Sequence, residues 1–160
     1  MRYSLFTSAL LLLLLSACHS PKPMQPVTIT HAFRLLPGQD LKQSIELYVK
    51  QHQIAAGWIA TAVGSLTEYQ IRFANQEKSY SDKGHFEIVS LVGTVSVNGS
   101  HLHVSLSDST GKTIGGHLLD GCKIYTTAEI VIGESKAHVF NREKDGSTPW
   151  EELQVKPAKQ

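Results

Sequence analysis

Residues 93–133, GTVSVNGSHLHVSLSDSTGKTIGGHLLDGCKIYTTAEIVIG, decide the fold. Asn98-Gly99 is a strong two-residue hairpin signal, and Asp108-Ser109-Thr110-Gly111 marks a second turn. Between and around them, Phe86–Val97, Leu102–Leu106, Thr113–Leu119 and Cys122–Ile132 read as strands running back and forth. His101 and His103 are two apart on one strand, so their side chains project from the same face. The next strand folds back beside it and brings His117 roughly opposite the pair.

Upstream, Val27 to Leu36 alternates as a half-buried strand and Pro37-Gly38 breaks it. Asp40 with Gln43 three residues later is a capping signal. Leu41, Ser44, Ile45, Tyr48, Val49 and His52 then follow at helical spacing to about Gln53. Trp58–Val63 and Glu68–Phe73 read as two strands separated by Gly64-Ser65, and polar Asn75–Gly84 reads as a loop. Lys136–Phe140 is a last short strand. Residues 141–160, charged and carrying Pro149-Trp150, read as a tail or docking arm. One main helix with about seven strands in hairpin order predicts an α+β domain on an antiparallel sheet.

The N-terminus combines Arg2, an apolar run from Ala9 through Leu15, and small residues before Cys18. That is the pattern of a secretory signal peptide, with a run too short to span a bilayer at about 20 residues. Leu15-Ser16-Ala17-Cys18 resembles a bacterial lipobox. It predicts a lipoprotein signal peptide over 1–17, lipidation of Cys18, a Pro-rich tether over 18–27, a domain over 28–156 and a terminal tail over 157–160. Two or more acyl chains anchor stably to a membrane. The residue after Cys18 is not Asp, which favours the outer membrane facing the periplasm.

The full chain has 15 Lys and Arg against 14 Asp and Glu, a net charge of +1. Cleavage before Cys18 removes Arg2 and leaves a neutral domain, without the electrostatic footprint of a phosphate-backbone binder. With Cys18 acylated, Cys122 has no thiol partner in the chain and reads as a small core residue. No phosphate-binding glycine loop, nucleophile elbow or Cys-x-x-Cys motif occurs.

Several of these segments together resemble the PPC domain (plants and prokaryotes conserved, DUF296), over about Thr30 to Val155. The carriers are Gly57-Trp58-Ile59, Ala62-Val63-Gly64-Ser65-Leu66 and Gly84-His85-Phe86-Glu87-Ile88-Val89-Ser90-Leu91. Gly93-Thr94-Val95, Leu102-His103-Val104-Ser105-Leu106, Gly115-Gly116-His117-Leu118 and Ala128-Glu129-Ile130-Val131 complete the series. The resemblance implies a compact α+β domain that assembles as a homotrimer. Plant members carry Arg-Gly-Arg-Pro hooks for the minor groove; no such tetrapeptide stands here, so no nucleic-acid partner is expected.

Three neutral imidazoles with an open fourth position match catalytic rather than structural zinc chemistry. A similar His-x-His then His pattern is found in zinc-binding acetolactate decarboxylases and a zinc-dependent ester hydrolase group. His101, His103 and His117 are therefore the candidate ligands of a divalent metal, zinc first. The competing reading is three surface or interface histidines capping the sheet. Pairing about the turn leaves the face of His117 open by one residue of register, which a bulge at Gly115-Gly116 would correct. Glu87 and Glu129 are candidate bases or carboxylate partners for an imidazole, or else solvent-facing strand glutamates. Arg72 reads as a positioning group for an anion or as an ion-pair partner, and His85 as a fourth ligand or a loop-end histidine. These features frame a metal- or small-molecule-binding lipoprotein, with a zinc-dependent hydrolase or lyase and a metal-free interaction module as alternatives.

Overall fold

The computed structural model describes residues 27–159. The expected signal peptide, the expected lipidation site Cys18 and nearly all of the expected tether lie outside the described residues. Eight strands and one helix follow in order: β1 (Thr28–Leu35), α1 (Leu41–Gln51), β2 (Gly57–Arg72), β3 (Ser79–Ser96), β4 (Gly99–Ser107), β5 (Thr113–Leu118), β6 (Lys123–Ser135), β7 (His138–Glu143) and β8 (Glu152–Pro157). Six strands form one antiparallel sheet in the order β1-β6-β2-β3-β4-β5, and β7 with β8 form a separate hairpin. The α+β class is as the hydrophobic pattern predicts.

The sheet does not stay open. The end of β2 also pairs with β5, through Ile71↔Leu118 and Arg72↔His117, so β2, β3, β4 and β5 close on themselves. Closure needs bent strands, and register shifts at Gly64/Leu66, Leu66/Glu68 and Ile88/Ser90 supply the bends. Gly64, at φ +154°, lies against the Thr127 carbonyl and Ala128, where any side chain would collide. The two strands expected at Trp58–Val63 and Glu68–Phe73 are thus one 16-residue strand carrying an irregularity.

The expected loop over 75–84 is shorter, because β3 begins at Ser79. Residues 79–85 are exposed on both faces, so no apolar alternation betrays them. The stretch from 141 is not a plain tail either, since Glu152–Pro157 pairs with His138–Glu143.

Asp40 caps α1 by accepting from the Gln43 backbone N–H at 3.1 Å. Its other oxygen accepts from the Gly121 N–H at 2.7 Å, tying the helix start to the turn before β6. Leu41, Ile45 and Val49 bury the inner stripe of α1 against the sheet. The core continues through Ile54, Leu66, Ile71, Leu106, Ile124, Ile130 and Ile132. Cys122 is fully buried there, and burial pushes its thiol up to about 11, which keeps it protonated and inert. No helix among the described residues is long and apolar enough to cross a membrane.

Candidate metal centre

Along β4, Leu102, Val104 and Leu106 are buried while His101 and His103 point outward. β5 returns after the turn at residues 108–112 with unbroken pairing, and His103 stands directly opposite His117. No bulge is needed at Gly115-Gly116, contrary to the sequence-based expectation. Those glycines answer crowding: a Cβ on Gly116 would lie 2.5 Å from the Arg72 carbonyl oxygen, and one on Gly115 2.8 Å from that of Val104. Their bare backbones let β5 sit tight between β4 and β2.

Three ring nitrogens meet at one point. His101 Nε2 is 3.2 Å from His103 Nε2 and 3.2 Å from His117 Nδ1, and the latter two are 3.1 Å apart. A ring nitrogen of a neutral imidazole is either a donor or an acceptor, never both. Three mutual contacts therefore cannot all be hydrogen bonds: at least two lone pairs, or two N–H groups, must face each other. A cation between them resolves the conflict. The spacing is close to the ~3.3 Å edge of a tetrahedron with metal–nitrogen bonds of about 2.05 Å. The three residues could hold a metal ion, and among the described residues no other His, Cys, Asp or Glu group is so gathered.

Burial and the neighbouring charges favour the neutral form of His117 and His101. Burial, then the Arg72 guanidinium, then His103 and His101 pull His117 down to about 4. Burial, then Arg142 and His103, hold His101 below its ordinary value, with Glu152 opposing them. Neutral imidazole is the ligating form.

Register explains Arg72. Val92 pairs with His103, His103 with His117, and His117 with Arg72, so one transverse row crosses β3, β4, β5 and β2. Arg72 donates to the Gln76 carbonyl at 3.1 Å, and its guanidinium lies 5.6 Å from the ring centre of Trp150. No carboxylate forms an ion pair with it among the described residues. Arg142 of β7 donates to Thr94 Oγ1 at 2.6 Å and docks the β7–β8 hairpin beside the histidines. A cavity of about 760 Å³ opens there, with Arg72, His101, His117, Arg142, Trp150 and Glu152 among its walls.

Sequence reasoning missed the β7–β8 contribution. Arg142, Trp150 and Glu152 lie 25 or more residues after His117 and carry no motif. Glu87 and Glu129 do not join the site. Glu87 is exposed opposite Ser107, four strand positions and about 13 Å along β4 from His103. Glu129 is exposed opposite Arg34 and Val63, the latter nine positions and about 30 Å of strand from Arg72. Both lie too far along their strands to orient an imidazole here. His85 packs on Tyr125 with ring centres 4.3 Å apart and is no fourth ligand.

A second histidine–carboxylate pair carried no sequence signal. Glu134 is 1% exposed, and it accepts from Lys136 Nζ at 2.6 Å and contacts His31 Nε2 at 3.0 Å. Burial pushes its carboxyl up, but the bonds from Lys136 and His31 outweigh burial and hold it below the usual range.

The model of the Plants and Prokaryotes Conserved (PCC) domain matches residues 24–136. A crystal structure of a hypothetical protein from Salmonella enterica is 41% identical, with TM-score 0.81 over 83% of this chain and 96% of that one. A metal-containing protein from Archaeoglobus fulgidus is 26% identical, with TM-score 0.68 over 79% and 93% of the two chains. Bifunctional protein GlmU of Synechococcus sp. (strain JA-3-3Ab) is 41% identical over 88% of this chain. The match spans only 23% of that curated relative's length.

Proposed function

The chain belongs to the Plants and Prokaryotes Conserved domain family, and within it we propose a lipid-anchored, metal-binding domain of the cell envelope. His101, His103 and His117 hold a divalent ion, zinc first by the chemistry of an all-imidazole set. The observation that carries this reading is the meeting of three ring nitrogens within 3.2 Å of one another. The relative from Archaeoglobus fulgidus, described as metal-containing, supports it. The lipobox-like Leu15-Ser16-Ala17-Cys18, the Pro-rich stretch behind it and the absence of Asp directly after Cys18 support placement on the outer membrane, facing the periplasm. A homotrimer is part of the proposal. Val63, Val89 and Tyr125 stand exposed at 57%, 60% and 43% on strands whose inner faces are already packed, and a neighbouring copy would cover them.

Zinc on three imidazoles would supply Lewis-acid polarisation of an oxygen ligand. Around it, this chain's own residues favour the neutral form of His101 and His117, set the three rings in register on two paired strands and wall the open side with a cleft. That open cleft favours a second reading, a hydrolase or lyase acting on a small ester or on an oxo or hydroxy acid. Glu151 and Glu152, rather than Glu87 or Glu129, are then the acidic groups at hand.

Elemental analysis of tag-free protein tests the metal reading. About one equivalent per chain is expected, with His103→Ala falling below one-tenth; under one-tenth equivalent in the wild type after zinc reconstitution would contradict it. Turnover of ester and 2-hydroxy acid substrates by the metal-loaded protein alone would establish the second reading.

A further inference from the structure

We propose that the cleft beside the three histidines is a binding site for a small organic oxyanion, a carboxylate or phosphate monoester. This deepens the metal reading and rests on it in part. Arg72, Arg142 and Lys144 line the cavity against Glu151 and Glu152, which leaves its wall one positive charge in excess. A divalent ion on three neutral imidazoles adds two more. Yet the whole chain carries a net charge of only +1, so the positive field is local to this cleft.

The cations stand free for a ligand. Neither guanidinium, nor the Lys144 ammonium, has an ion-pair partner among the described residues. Arg72 and Arg142 each spend a donor on a neutral acceptor, the Gln76 carbonyl and Thr94 Oγ1 respectively, which fixes their planes and leaves other N–H groups open. A planar guanidinium with free N–H groups grips carboxylate or phosphate through two parallel hydrogen bonds. The row pairing puts Arg72 one strand from His117, so an oxyanion on it lies next to the metal ligands. Trp150 flanks Arg72 at the rim and is 61% exposed, an open aromatic face for the organic part of the ligand. The volume of about 760 Å³ suits a metabolite-sized molecule and not a duplex.

The test is titration calorimetry of tag-free protein with phenyl phosphate and with malate in phosphate-free buffer, with benzyl alcohol as the uncharged control. Each anion is expected to saturate one site per chain, and benzyl alcohol to give no heat. Raising NaCl from about 0.05 to 0.5 M should weaken binding at least roughly fivefold. Arg72→Gln should weaken it about tenfold while zinc content stays at one per chain, and Lys144→Gln, at an exposed site that cannot upset folding, by about threefold. Zinc-loaded protein that ignores both anions up to about 10 mM, or binds them equally after Arg72→Gln, would overturn the proposal. Metal-free protein is titrated in parallel. Protein that takes up no zinc yet binds the anions through Arg72 supports the oxyanion site and contradicts the metal reading alone. Absence of saturable binding in both states overturns the site.

Discussion

His117 must stay unprotonated to ligate, and its place against Arg72 and two other imidazoles serves that demand. Burial first, and then the Arg72 guanidinium, disfavour a positive charge on the ring and hold it at about 4. Its unfolded value of 6.5 lies above that, so the unfolded chain takes up the proton first as the medium is acidified. Metal-free protein should therefore lose stability as pH falls from about 6.5 toward 4, and His117→Gln should flatten that part of the curve. Urea midpoints at pH 7 and pH 5 for both proteins check the slope.

Glu134 behaves oppositely in origin. Its carboxylate is held down by Lys136 and His31, so its contribution is present above the ordinary carboxylate value and is lost as pH drops through its lowered one. Glu134→Gln should destabilise by about 2 kcal/mol at pH 7, measured by urea denaturation. The triad was legible because a His-x-His spacing survives in a single strand. The Glu134 pair was not, because its partner lies 103 residues away on another strand.

At the scale of elements, the site depends on how closely β5 lies to β2. Gly116→Ala would push a methyl group against the Arg72 carbonyl oxygen. It should cost about 1–3 kcal/mol and move His117 off the other two rings. Zinc affinity should then fall about tenfold with all three histidines intact, a loss read by competition with a chromogenic chelator. Hairpin turns announced themselves through Asn98-Gly99 and Asp108–Gly111. The long strands did not, because a pattern read in short windows breaks at Gly64 and vanishes where β3 is exposed on both faces. Strand β8 was hidden for the same reason: none of its six residues is fully buried. Closure of the sheet through β2 and β5 leaves no local mark in any segment.

For the molecule as a whole, the proposed envelope anchor and trimer make separate predictions. Light scattering on the soluble domain should give three times the chain mass, and a monomer at micromolar concentration would remove the trimer. Cys18→Ser should shift the protein from the membrane to the soluble fraction of a cell lysate. The family model and the antiparallel core were legible in ordered short segments spread over most of the chain. The walls of the cleft were not, since β2, β4, β5, β7, β8 and the loops between them bring residues together from distant sequence.

The most direct measurement is anomalous diffraction at the zinc edge from crystals of zinc-reconstituted protein. One peak is predicted per chain, bonded at about 2.0–2.1 Å to His101 Nε2, His103 Nε2 and His117 Nδ1. A fully reconstituted crystal with no peak at that point, or with the three rings turned apart, would contradict the metal centre.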